Sequence, residues 1–187
     1  MLLTYSNLMN ILDSIKNDLR KAIGKPKHRF RYFSMATCGL HGHIRQRILV
    51  LRDVADDFTL TAYTDSRSKK MMHIRENSEV SLLFFNSSKF IQVTMTANVR
   101  VEKDEETVLE LWNRIKPRSR KDYITELPPG TIIQDPSEVG HQENIHYFTV
   151  LKLVPEKIEY VKLQKINHLR ILFSRNGDSW DSCYLVP

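Results

Sequence analysis

The spacing of apolar positions changes twice along this 187-residue chain, and each change marks a new kind of element. Leu8, Ile11, Leu12, Ile15 and Leu19 fall at i, i+3, i+4, i+7 and i+11, the single stripe of an amphipathic helix. Ser6 is placed to cap its start, and Gly24 followed by Pro26 ends the helical segment, which occupies residues 1–26. From residue 30 the period becomes two. Residues 29–38, 44–54 and 58–64 read as three strands, the first pair joined by Gly39-Leu40-His41-Gly42 and the second by Ala55-Asp56-Asp57. A short helix from about Ser66 to Glu76 precedes a strand at 79–85, and Asn86-Ser87-Ser88 turns the chain into the clearest alternation of all. There Ile91, Val93, Met95, Ala97, Val99 and Val101 oppose Gln92, Thr94, Thr96, Asn98, Arg100 and Glu102, so one face is buried and the other is polar.

Asp104 is a cap for a further helix with Val108, Leu111, Trp112 and Ile115 on its inner face, ended by Pro117. Residues 117–144 hold four prolines and little periodicity, a loop long enough to be functional or to wrap a neighbour. Strands resume at 146–153, 157–163, 169–174 and 179–186, with Asn176-Gly177 as the hairpin signal of the last pair. No repeat or linker divides the chain, so residues 1–187 read as one domain. Eight or nine strands joined by tight turns, with two or three helices, predict an antiparallel barrel with helices outside it, a β-rich α+β fold.

Composition narrows the class. A chain that is 41% hydrophobic and 27% charged can build a core, which excludes disordered and collagen-like chains. Lys and Arg number 28 against 22 Asp and Glu, and this surplus of six favours an anionic partner: nucleic acid, a membrane surface or a phosphorylated small molecule. No apolar run approaches the length of a membrane span, the first ten residues are too polar for a secretory signal, and two cysteines make no disulfide framework. The expected setting is the reducing cytoplasm, without a membrane partner. Cys38, His41 and His43 lie close together, but their spacing fits no standard zinc site, and no metal is expected. Phosphate-loop, dinucleotide-fold and nucleophile-elbow motifs are absent. Phe84, Phe85, Phe90, Tyr147 and Phe148 sit mostly in apolar runs and read as core rather than as a base-stacking platform, which argues against nucleic acid.

Two basic clusters carry candidate chemistry. In Tyr63-Thr64-Asp65-Ser66-Arg67-Ser68-Lys69-Lys70, three cations and two serines gather at a helix start, where the macrodipole already places positive charge. Free N–H groups, hydroxyls and cations converging there suit a phosphate, although a solvated basic turn is the plainer alternative. In Arg45-Gln46-Arg47-Ile48-Leu49-Val50-Leu51-Arg52, Arg47 shares a strand face with Leu49 and Leu51, an expensive place for a charge unless it meets an anion or snorkels to water. Gln92 opens the polar face of the long strand, where an amide can read the edge of a heterocycle.

Taken together, Arg47 to Arg52, Tyr63 to Lys70, Gln92, and the closing Ser179-Trp180 to Leu185-Val186-Pro187 resemble the pyridoxamine 5′-phosphate oxidase-like FMN-binding split barrels. That resemblance implies an antiparallel six-stranded split β-barrel with flanking helices, and a homodimer with FMN in clefts at the interface. It also implies that Arg47, Ser68, Lys69 and Lys70 hold the phosphate, that Val50, Leu51 and Arg52 line the flavin ring, and that Tyr63 and Thr64 lie beside the ribityl chain. Gln92 would meet the polar edge of the ring, with Gln134 contributed by the second subunit's long loop. His168 and Arg170 fall where the family's oxidase carries the His and Arg of an R-L-H-D-R segment, making Arg170 a cofactor contact and Arg52 and His168 the catalytic candidates.

The departures are informative. Ile166 replaces the first Arg of R-L-H-D-R, and Leu169 replaces its Asp. The helix that in the oxidase offers a Tyr, an Arg and a Ser to the substrate phosphate reads Leu111-Trp112-Asn113-Arg114-Ile115-Lys116-Pro117, with Lys116, Arg118 or Arg120 as replacement cations and the hydroxyls missing. An FMN-dependent oxidoreductase acting on a small substrate is therefore expected. Vitamin B6 phosphate oxidation and a non-enzymatic, nucleic-acid-binding barrel stand as the alternatives.

Overall fold

The computed structural model describes residues 5–39 and 42–187. Helix α1 (Tyr5–Ala22) buries Leu8, Leu12, Ile15 and Leu19 in the main core, while Ile11 packs at its margin. Ser6 lies inside this helix rather than at its cap. Gly24 follows at φ 70°, the left-handed conformation that lets the chain leave a helix without a Cβ clash.

Six long strands form the barrel: β1 (Tyr32–Cys38), β2 (Ile44–Val50), β4 (Leu60–Asp65), β5 (Glu79–Asn86), β6 (Ile91–Val101) and β7 (Phe148–Lys162), with the two-residue β3 (Asp53–Val54) between β2 and β4. Hydrogen bonding runs β2-β1-β5-β6-β7-β4-β3, all antiparallel. The sheet curls until β2 approaches β4, yet no ladder joins those two strands among the described residues, and that seam leaves the barrel split. Strands β8 (Leu169–Asn176) and β9 (Ser179–Tyr184) continue the sheet beyond β7, bringing it to nine strands. Phe33, Met35, Leu82, Phe84, Val93, Met95, Ile158, Ile171 and Phe173 fill the interior, with Phe33 and Phe84 stacked 4.9 Å apart.

Several expected boundaries differ. The strand expected at 44–54 breaks at Leu51 and Arg52, where Leu51 N–H donates to the Arg31 carbonyl at 2.9 Å and Arg52 N–H to that of Thr61 at 2.9 Å. The two strands expected at 146–153 and 157–163 are one strand, β7. Its register against β6 shifts between Thr96 and Ala97, so Pro155 and Lys157 are paired while Glu156 is the extra residue of a bulge. Helix α2 runs Lys69–Glu76 and starts later than expected, because Asp65 to Ser68 form a tight turn. Helix α3 spans Glu105–Asn113, with the Asp104 carboxylate accepting the Thr107 N–H at 2.9 Å as its cap. The 117–144 loop contains helix α4 (Pro117–Arg120) and two single 3₁₀ turns at Lys121–Tyr123 and Pro136–Glu138. The tight turn at Gly177, φ 60°, joins β8 to β9 as its sequence indicates. In the first hairpin, Leu40 and His41 lie outside the described residues. No helix of the described residues is long and apolar enough to cross a membrane.

Candidate functional site

The seam between β2 and α2 opens into a cleft of about 410 Å³ lined by Arg45, Gln46, Arg47, Ser68, Lys69, Lys70 and Pro129, with no acidic residue on its walls among the described residues. Its floor is built by the turn that delays α2. Ser68 stands at the N-cap but does not cap with its side chain. Its hydroxyl instead donates to the Asp65 carbonyl at 2.8 Å and accepts from Lys70 Nζ at 3.1 Å. Lys70 Nζ also donates to Thr64 Oγ1 at 2.9 Å, and Arg47 reaches the Met35 carbonyl at 3.0 Å. Burial pushes the Lys70 ammonium below the ordinary lysine value, and the neighbouring Arg47 pushes it further the same way. Burial and Arg45 likewise lower Arg47. Such crowding of partly desolvated cations is unfavourable until a multivalent anion enters. Four cations, a hydroxyl and the uncapped first turn of α2 match the donor set that a phosphate monoester requires.

Arg52 points elsewhere. It lines a second cavity, of about 450 Å³, with Arg31, Tyr63, Arg114, Lys116, Arg118 and the apolar Leu111 and Ile115. Its guanidinium lies 5.0 Å from the Tyr63 ring centroid, and its buried Nε has no hydrogen-bond partner among the described residues. Burial raises the Tyr63 and Tyr123 phenols above their ordinary value, so both stay protonated. Behind this cavity Trp112, Tyr123 and Phe148 pack as a second small core with Ile115 and Val150. Arg120 does not join the cavity: it stacks on Trp112 at 4.9 Å and bonds the Ile115 and Asn113 carbonyls at the end of α3.

The other expected site residues distribute over the outer face of the sheet or away from it. Phe85 pairs with Gln92, Gln92 with Val161 and Val161 with Arg170, so these four form one row across β5–β8. Arg170 is held there by Glu159 at 3.2 Å. The same face carries the half-buried Val50 and the exposed Tyr32, Ile48, Leu83 and Phe85. Leu51 is sealed in the core, with only its backbone facing Arg31. His168 is exposed and its Nδ1 accepts the Gln164 N–H at 3.1 Å, capping the β7–β8 connection. Gln134 is exposed in the long loop, its N–H on Glu138 at 3.3 Å, and lines neither cavity. The residues expected around a phosphate, Arg47, Ser68, Lys69 and Lys70, are thus brought together, whereas Arg52 and Tyr63 stand apart from them and His168 and Gln134 lie outside both cavities. Arg67 is a correction too: the sequence counts it among the anion-site cations, but the buried Asp65 carboxylate takes it at 2.7 Å. Reading the sequence alone also misses Arg31 and Arg114, whose convergence depends on the packing of α3 against the barrel.

Comparison with known proteins agrees with this architecture. Residues 19–162 match the family model described as pyridoxamine 5′-phosphate oxidase. Among solved structures, the fold is similar to a pyridoxamine 5′-phosphate oxidase-related, FMN-binding protein from Nostoc punctiforme. The two chains are 19% identical and cover 100% of each other, with a TM-score of 0.76. It is also similar to PhzG from Burkholderia lata, solved in complex with tetrahydrophenazine-1-carboxylic acid, at 16% identity and TM-score 0.73, covering 96% of this chain and 92% of that one. A Clostridium acetobutylicum protein related to general stress protein 26 is 14% identical, TM-score 0.59, covering 91% and 98%.

Proposed function

The chain belongs to the pyridoxamine 5′-phosphate oxidase family, and from that premise we propose that it is an FMN-dependent oxidoreductase acting on a small anionic substrate. The observation that carries this reading is the cleft of Arg45, Arg47, Ser68, Lys69 and Lys70, whose donor set and lack of carboxylates fit the FMN phosphate. Arg47, Lys69 and Lys70 would neutralise the phosphate, Ser68 would donate to it once its hydroxyl turns from the Asp65 carbonyl, and Gln92 would face the polar edge of the ring from the outer sheet.

FMN, when bound, supplies hydride acceptance and subsequent reoxidation by an electron acceptor. The chain's own part is binding, orientation and electrostatics. The cavity around Arg52 suits the substrate's anionic group, because among the described residues Arg52 Nε is buried without a partner and no carboxylate lines the walls. Apolar Leu111 and Ile115 would exclude water beside that group, and the protonated Tyr63 phenol is a further donor.

The face bearing Tyr32, Ile48, Leu83 and Phe85, each between 40% and 64% exposed, supports a homodimer in which a second copy covers both the apolar strip and the ring of the cofactor. Denaturing the purified protein and identifying what is released tests the cofactor assignment. FMN supports it; a colourless protein that acquires no flavin bands on titration contradicts it.

A further inference from the structure

Arg67 is the most heavily engaged cation beside the phosphate cleft, yet it does not line that cleft. Its own N–H and Nε donate to Asp65 Oδ1 at 2.7 and 3.2 Å, and one terminal nitrogen donates to Asp65 Oδ2 at 2.7 Å. The same fork reaches 58 residues further along the chain, to Thr125 Oγ1 at 3.1 Å and the Glu126 carbonyl at 3.2 Å. Its Cζ lies 3.3 Å from the Tyr147 ring centroid. Ser66 N–H adds a bond to the Tyr147 carbonyl at 2.8 Å.

The segment it grips is closed on itself. Thr125 bridges His141, Glu126 N–H donates to the Gly140 carbonyl at 3.0 Å, and Gln142 N–H donates to that of Ile124 at 2.8 Å. Tyr147 N–H donates to the Tyr123 carbonyl at 2.8 Å. Gly140 lies so close to Glu126 that an added Cβ would meet its carboxylate. Between these paired limbs Pro129 forms one wall of the cleft, and a Cβ added at Gly130 would come into van der Waals contact with the Lys69 side chain.

We propose that Arg67 is a positioning residue: it fastens the segment 123–147 to the turn that presents Ser68, Lys69 and Lys70, and the cleft's affinity for its anion depends on that fastening. A planar fork that satisfies a buried carboxylate and two loop acceptors while stacked on an aromatic ring suits this task, and a lysine could not reproduce it. Because Pro129 and the cationic turn are held through one side chain, binding in the cleft and order in the segment are linked, and the linkage is reciprocal. The affinity half of the proposal rests on the FMN reading above; the fastening itself does not.

The test uses the full-length protein and two variants. Thr125→Val with Tyr147→Leu leaves the Asp65–Arg67 pair and every cleft residue intact; it removes the two side-chain holds on the segment, together with the Thr125 Oγ1 bond to the Leu127 carbonyl, and keeps the backbone bonds from Arg67 to Glu126 and from Ser66 to Tyr147. Asp65→Asn with Arg67→Met removes the pair without stranding a buried charge. Hydrogen exchange is read without ligand and with FMN, beside FMN affinity by flavin fluorescence. Expected in both variants are faster exchange at 125–130 and 139–142 without ligand, unchanged exchange in β5 and β6, and FMN affinity lower by about tenfold, within the usual range of coupling between sites. Expected in the wild type is slower exchange at 125–130 when FMN binds. Unchanged ligand-free exchange in both variants overturns the fastening. Loosened segments with wild-type FMN affinity overturn the coupling, and lost affinity with no change at 125–130 would make Arg67 a direct ligand instead. A wild type that binds no FMN refutes the cofactor reading, while the ligand-free comparison still decides the fastening.

Discussion

Arg47 and Arg52, five positions apart on one run of chain, open onto different cavities: Arg47 lines the cleft at the start of α2, and Arg52 lies over Tyr63 in the cavity beneath α3. The break after Val50 makes this possible, because Leu51 turns into the core and its backbone is taken by Arg31. One strand end therefore places an arginine in each of two cation-rich cavities.

Replacing Lys69 and Lys70 together by Ala tests the first of them. Each phosphate contact made by a cation is a charge-assisted hydrogen bond, so FMN affinity is expected to fall at least about a hundredfold. The fold should stand, and the ligand-free protein should melt slightly higher, since two cations leave a helix N-terminus. Titration of both proteins followed by flavin fluorescence, with a melting curve of each, checks this.

Lys70 should also give the ligand-free protein a pH signature. Its folded-state value is lowered from 10.5, chiefly by burial. In the window between that lowered value and 10.5 the unfolded chain binds more protons at this site, so stability rises with pH there and falls again on acidification. Urea unfolding at several pH values should show this rise in the wild type and lose it in Lys70→Met. FMN, by placing a dianion beside the ammonium, should shrink it.

Much of this architecture is legible from local pattern. The alternation from Ile91 to Val101 and the stripe from Leu8 to Leu19 mark elements whose buried faces the structure reproduces. The basic cluster at the cleft is legible for a similar reason: Arg45, Arg47, Ser68, Lys69 and Lys70 lie within a few residues of one another on two segments. What fails is long-range. Arg67 is held by Thr125, Glu126 and Tyr147, far away in sequence, and by Asp65 two residues before it, whose burial only the fold supplies, so a local count of charges reads Arg67 as available. Pro155 interrupts the pattern of β7 and suggests two strands, because a bulge that absorbs a proline leaves no periodic signal.

Arg52→Met addresses the second cavity. FMN affinity should stay near wild type, while pyridoxal 5′-phosphate, used as an aromatic phosphate probe on the FMN-loaded protein, should bind about tenfold or more weakly for loss of one charge-assisted contact. Probe absorbance measured against concentration for both proteins reads this directly.

On the outer face, Ile48→Glu combined with Phe85→Glu places charges on two exposed side chains, 64% and 51% accessible. A homodimer formed through this strip should dissociate while each chain stays folded, because neither residue belongs to the core. Sedimentation of the wild type as a dimer and of the variant as a monomer is the expected result, with FMN retention lost along with the second copy.

The most direct measurement titrates the full-length wild-type protein with FMN while flavin fluorescence and the mass of the complex are recorded. Saturable binding of one FMN per chain, lost in the Lys69→Ala, Lys70→Ala protein, is the expected result. Flavin fluorescence that stays unchanged at micromolar concentrations of both, or binding that survives removal of those two lysines, would contradict the assignment of the cleft.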